Sequence, residues 1–204
     1  GKSVYADRLG EKVAEPYVTV VDQASIPHER GALNYDDEGH RTGRTVLVEN
    51  GILKSYLNDQ ISAAQLGLEP TGSGRRESYR FAPMPRMSCT FMEDGPHTRD
   101  EIIAAVDRGV ICETYTSGEV QLGPGDYTFN VKNGWLVEGG RVTSPLKDIT
   151  ISGNGPDTLS HITMVADDAR LDTGGWTCGK NGQTVPVSQG MPTVLVSKMN
   201  VGGA

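Results

Sequence analysis

Cysteine is scarce in this chain: Cys89, Cys112 and Cys178 are three in number and far apart, which argues against a disulfide framework and is compatible with a reducing compartment. Histidine is nearly as scarce. His28, His40, His97 and His161 are the only four, and no two share a helix turn as a metal-binding pair would. No apolar run approaches the roughly 18 residues needed to span a bilayer, and no signal-peptide pattern opens the chain. A cytoplasmic polypeptide with no membrane partner is therefore expected. Positive charge is outweighed, 19 Lys and Arg against 26 Asp and Glu for a net charge of -7. Nucleic acid is disfavoured as a ligand, because binding phosphate without sequence preference requires a concentrated basic face.

What the chain has in quantity is glycine and proline, 26 and 11 among 204 residues, which implies many turns and few long helices. A chain of this length buries about 70% of its unfolded surface. The predicted class is α+β and β-rich, mainly an antiparallel curled sheet or barrel-like core with one or two short helices. Residues 1–16 are polar, without a clear period, and are expected to form a connecting segment. The opening Gly1-Lys2-Ser3-Val4-Tyr5 is neither an initiator sequence nor a tag, so an upstream portion is expected.

Tyr17 to Val21 is β-branched and bounded by Pro16 and Asp22, and reads as a buried strand. Thr45–Val48 and Ile52–Tyr56 flank Asn50-Gly51, a strong hairpin signal because both residues tolerate positive φ. Asn58 to Leu66 spaces Ile61, Ala64 and Leu66 as a helix ended by Gly67. Pro70 to Gly95 is irregular and long enough to wrap a groove or a partner. Thr98 to Glu101 fits a capping box, followed by an apolar stripe of Ile102, Ile103, Val106 and Val110, so a helix is predicted to end near Gly109. Asp126–Lys132, Trp135–Val142, Lys147–Ser152, His161–Val165, Thr184–Val187 and Thr193–Ser197 read as short strands, with a turn at Gly139-Gly140.

The most informative residue is Cys178, in the glycine-rich stretch Gly174 to Gln183 with a cation, Lys180, two positions on. A thiol on such a compact loop can bind a metal or act as a nucleophile. Either role needs partners from elsewhere. His28-Glu29-Arg30-Gly31-Ala32 begins like a metal motif but offers no second histidine, and Cys89 and Cys112 read as packed thiols. Arg75 and Arg76 could bind a peptide carboxylate, since guanidinium groups fork onto two oxygens; a positioning or solvated role is the alternative. Asp36-Asp37-Glu38 lacks the spacing of a calcium loop and reads as an exposed turn.

Four blocks in order, Asn34 to Gly39, Thr71 to Ser78, Pro85-Arg86-Met87 and Cys178 to Val187, together with the ending Val201-Gly202-Gly203, resemble the TldD/PmbA family. The likeness covers almost the whole chain. It implies that residues 17–204 form the C-terminal β-rich domain of a TldD-type zinc metallopeptidase acting on short or unfolded peptides. In that branch a His-Glu-x-x-x-His helix, which would precede Gly1, supplies two zinc ligands and the general base, and Cys178 matches the third ligand. The resemblance also implies a PmbA-like paralogue, or self-association, as partner. The chain alone is expected to lack a catalytic zinc and to be inactive. Two alternatives stand beside this reading: a noncatalytic peptide-binding or assembly module, or regulator of another protein; and a thiol hydrolase with Cys178 as nucleophile and His161 as base.

Overall fold

Glycine, proline and asparagine break the chain into short strands, and a computed structural model describing residues 3–121 and 123–203 shows them in order with three short helices among the described residues. The first half holds β1 (Val20–Gln23), β2 (Arg44–Glu49), β3 (Ile52–Leu53), α1 (Gln60–Leu66), β4 (Gly74–Arg75), β5 (Met84–Pro85), β6 (Cys89–Met92) and α2 (Arg99–Ala104). Three long strands follow, β7 (Arg108–Val120), β8 (Asp126–Glu138) and β9 (Arg141–Asn154), then α3 (Gly155–Ser160) and β10 (Ile162–Val165). The chain continues through β11 (Arg170–Leu171), β12 (Thr177–Lys180), β13 (Gln183–Pro186), β14 (Ser188–Met191), β15 (Val194–Val196) and β16 (Asn200–Gly203).

The strands form a six-stranded sheet in the order β11-β14-β6-β1-β2-β3, a four-stranded sheet β16-β9-β8-β7, and the pairs β10-β15, β12-β13 and β4-β5. Pairing is antiparallel except between β6 and β14, where Ser188, Gln189 and Gly190 run alongside Cys89, Thr90 and Phe91. The β-rich α+β class is as expected, with one helix more than anticipated. Ala14, Val18, Met92, Ile162 and Val165 make one buried cluster, Val13, Val48 and Leu53 a second, and Val131, Ile149 and Ile151 a third. Each of the Val, Leu, Ile and Met side chains removed from water contributes about 1.5–3 kcal/mol. Residues 3–16, expected to connect, contain no regular strand or helix, yet Val13 and Ala14 enter two of these clusters.

Several elements differ from their predicted extents for identifiable reasons. β1 starts three residues late because Val18 closes a turn onto the Glu15 carbonyl while its own carbonyl accepts from Gly51. β3 stops at Leu53 because Lys54 and Ser55 both donate to the Leu47 carbonyl, a bulge that ends regular pairing. In α1 the closing Gly67, at φ 66°, is as read, and Asp59 caps the start by accepting from Ser62 N–H at 2.7 Å, but the apolar face differs from the one expected. Ala63 is buried, whereas Ile61, Ala64 and Leu66 are exposed. The capping box of Thr98 and Glu101 is present, but α2 ends at Ala104, with Ala105 as its C-cap, instead of near Gly109. Arg108 pairs with Glu138 and Val110 with Leu136, so the backbone after α2 is committed to β7.

Candidate functional site

Cys178 lies on a strand, correcting the expected loop. It pairs with Val185 in the β12-β13 hairpin, and the turn is Asn181-Gly182 with φ of 51° and 73°, the conformation that favours a two-residue hairpin. Cys178, Lys180, Gln183 and Val185 are more buried than Thr177, Gly179, Thr184 and Pro186, so they share the inward face. A two-stranded ribbon is marginal by itself in water. Its position here comes from the segment 74–87, which clamps it at both ends.

At the base of the hairpin the Arg75 guanidinium, 6% exposed, donates from Nη1 to the Met87 carbonyl at 2.6 Å and from Nη2 to the Pro186 carbonyl at 2.9 Å. Near the turn Arg86 Nη2 donates to the carbonyls of Cys178 and, at 3.2 Å, Gln183. Lys180 Nζ donates to the Pro85 carbonyl at 2.9 Å, and Gln183 Nε2 to the Ala82 carbonyl at 3.3 Å. Glu77 holds β13: its N–H donates to Gln183 Oε1 at 3.1 Å and its Oε2 accepts from Thr184 N–H at 2.5 Å. The segment expected to wrap a groove is thus occupied in holding this hairpin.

The remaining block supports the clamp from behind. Asp36 Oδ1 accepts from the N–H groups of Glu38 and His40 at 3.0 and 2.8 Å, and Asp36 Oδ2 accepts from Gly74 N–H at 3.0 Å. Asp37 Oδ2 accepts from Arg76 N–H at 2.8 Å. Asp36-Asp37-Glu38 is therefore a hydrogen-bonded corner that positions β4, and Asp36 itself is buried. All four sequence blocks meet in one contiguous assembly, with Cys178 at its end.

Electrostatics separate the groups further. Burial pulls the Arg75 guanidinium below its ordinary value, the Asp22 and Asp37 carboxylates oppose this, and the Arg86 charge adds to it. Hydrogen bonds from Thr184, first the backbone N–H and then the hydroxyl, hold the Glu77 carboxyl below the usual carboxylate range. Burial pushes the Cys89 and Cys112 thiols up, in keeping with packed thiols. Arg76 is half-buried with Nε 4.0 Å from Asp37 Oδ1, and so retains more contact with solvent than Arg75. His161 caps α3, its Nδ1 lying 2.7 Å from the Asp157 carbonyl.

A thiol is a suitable zinc donor, but a hydrolytic zinc takes three protein ligands. No group of three or more His, Cys, Asp or Glu able to hold a metal occurs among the described residues. The donor chemistry fits one position of a zinc site and no more. Arg86 and Glu77 were not singled out by sequence reasoning, because their partners lie 92 to 107 positions away and leave no local pattern.

A β-rich α+β domain with one inward thiol on a clamped hairpin has clear relatives. A family model described as the PmbA/TldA metallopeptidase C-terminal domain matches residues 1–203. The chain belongs to that family. It is 40% identical over 201 residues, 98% of its length, to a Metalloprotease TldD homolog from Haemophilus influenzae, and spans 42% of that relative. It is 35% identical over 194 residues to a Zinc metalloprotease TldD homolog from Saccharolobus solfataricus, covering 95% of this chain and 43% of the relative. Among solved structures, a Thermotoga maritima protein described as a candidate modulator of a DNA gyrase superposes with a TM-score of 0.77 at 29% identity, over 98% of this chain and 42% of that one. The chain therefore spans about two fifths of the length of these relatives. No helix among the described residues is long and apolar enough to cross a membrane.

Proposed function

We propose that this chain is the C-terminal part of a TldD-like zinc metallopeptidase that hydrolyses short or unfolded peptides, and that Cys178 is its contribution to the metal. The observation that carries this reading is that two separated blocks, through Arg75, Glu77 and Arg86, bond directly to the hairpin bearing Cys178, and a third, through Asp36, holds them from behind. So many long-range hydrogen bonds spent on one short ribbon suit a donor that must be held in place, since functional groups need placing to within about 0.5 Å. The names of the relatives supply the metal and the reaction class.

Zinc, when bound, lowers the pKa of its water to about 7 and polarises the peptide carbonyl. In this reading two histidines and the general-base glutamate come from the portion upstream of Gly1, so the chain alone is inactive. The work of its own residues is to hold the thiol and to receive the peptide. β12 pairs only with β13 among the described strands, and an extended peptide can add along such an edge through main-chain hydrogen bonds, without regard to its sequence. Arg76 is the better placed of the two expected arginines to meet a peptide carboxylate, because both terminal nitrogens of Arg75 are bonded to backbone carbonyls. A PmbA-like paralogue, or a second copy, completes the enclosure of the site.

The test compares zinc content and peptide turnover in the full-length protein and its Cys178→Ala variant. Both are expected to fall together; retention of both rejects the ligand assignment. If chelation spares activity and thiol alkylation abolishes it, Cys178 is a nucleophile. Hydrogen exchange on adding peptide is expected to protect a strand edge, and unchanged exchange in every strand counts against edge addition.

A further inference from the structure

Arg86 is a costly residue to bury if its role is only to fill space. It follows β5, its N–H donates to the Ser73 carbonyl at 2.9 Å, and its side chain runs into the interior, where the residue is 2% exposed. It makes no ion pair among the described residues. Nε and Nη1 are buried with no hydrogen-bond partner there either. An unpaired buried charge carries an effective penalty of several kcal/mol, and each enclosed donor left unmatched costs about 1–3 kcal/mol more.

The single nitrogen that is used, Nη2, reaches both strands of one hairpin. The Cys178 carbonyl belongs to β12 and the Gln183 carbonyl to β13, which pairs with Lys180 across the final rung before the turn. A fixed Cys178 carbonyl fixes the peptide plane that follows Cys178, and with the pairing to Val185 it limits where Cβ and the sulfur can point. The guanidinium is planar and stiff, so it holds the two carbonyls at a set separation that a flexible side chain does not impose.

We propose that Arg86 is a positioning residue for Cys178, setting the direction of its thiol by bridging the two strands of its hairpin through one buried nitrogen. The proposal deepens the zinc-ligand reading and rests on it for its function, although the geometric role is open to independent measurement.

The experiment uses the full-length protein, stripped of metal, with the variants Arg86→Gln and Arg86→Lys. The rate at which iodoacetamide alkylates Cys178 is followed by mass spectrometry of its peptide. Zinc affinity is then measured by competition with a chelating dye, with Cys178→Ser as the reference. Arg86→Gln is expected to speed alkylation about tenfold and to weaken zinc binding about 10–100-fold, as loss of a group supporting a ligand does. Arg86→Lys keeps the charge on a flexible stem and is expected to give about a threefold effect on each, because it loses the planar spacing. A melting temperature that falls while the alkylation rate and zinc affinity stay unchanged overturns the proposal and leaves Arg86 a structural residue. Should Arg86→Gln fail to fold, the Arg86→Lys result decides by the same readouts, and no change in either overturns it. If Cys178→Ser binds zinc as tightly as the unaltered protein, the ligand reading fails, while faster alkylation in the Arg86 variants still supports the positioning role.

Discussion

Glu77 and Thr184 lie 107 positions apart, and one carboxylate oxygen of Glu77 accepts from both the N–H of Thr184, at 2.5 Å, and its hydroxyl, at 2.9 Å. This contact ties β13 to the segment that clamps it. It is charge-assisted, and such bonds are shorter and stronger than neutral ones.

The contact makes the hairpin sensitive to acid. The Glu77 carboxyl is held below its ordinary 4.5 by the Thr184 donors, so the folded state favours the ionised form. The resulting stabilisation is present above the ordinary value and is lost as pH falls through the lowered one. Protection of the Thr184 amide, its exchange measured against the intrinsic rate at each pH, is expected to fall across that acid window in the unaltered protein and to lose this dependence in Glu77→Gln. An identical acid profile in both proteins rules the linkage out.

Arg75 supports the other end of the same ribbon. Arg75→Met keeps much of the volume but leaves the Met87 and Pro186 carbonyls without their donors. The expected loss is about 2–4 kcal/mol, the cost of two hydrogen bonds from a charged donor less partial rescue by water. Urea unfolding measures it, and a loss under 1 kcal/mol indicates that the guanidinium is held in place without holding anything.

Gly31 shows how closely the main chain approaches the parallel strands. A Cβ added there would lie 2.1 Å from the Ser88 carbonyl oxygen and 2.9 Å from Ser188 N, and these two atoms are themselves hydrogen-bonded at 2.9 Å. Gly31→Ala must push β6 and β14 apart or displace residue 31, at an expected cost of about 1–3 kcal/mol or more. An alanine variant as stable as the unaltered protein would show that the contact relaxes freely.

The two Asn-Gly turns show what local reading can and cannot reach. Asn50-Gly51 and Asn181-Gly182 have nearly the same φ pairs, 49° and 80° against 51° and 73°, yet only the first stands between β-branched runs. Around the second, Thr177-Cys178-Gly179-Lys180 has no apolar alternation, because this ribbon is held by polar side chains from residues 74–87. The same competition hid the end of α2, where Val106 and Val110 keep helical spacing although pairing with β8 takes the backbone from Arg108 onward. In α1 the period was correct but Ala63 is the residue buried, since spacing alone does not say which face meets the body. Cys178 was visible as a chemical group in an unusual setting, whereas Arg86 and Glu77 became functional candidates only once their distant carbonyl and amide partners were known.

Asp36 offers the sharpest division between charge and shape. Its Oδ1 serves Glu38 and His40 within its own turn, and its Oδ2 serves Gly74 on the next block. Asp36→Asn can keep the oxygen toward the turn, but then sets an NH2 group against the Gly74 N–H, donor against donor. Only the link to β4 is lost, at an expected cost of about 1–2 kcal/mol. Asp36→Ala removes all three acceptor contacts and leaves a buried corner with unmatched N–H groups, for an expected loss of about 3–5 kcal/mol. Because β4 carries Arg75, which in turn holds Pro186 at the base of the Cys178 hairpin, both variants should also speed alkylation of Cys178, alanine more than asparagine. Equal stability losses in the two variants, or a slowed thiol in either, would break the chain of contacts from Asp36 to Cys178.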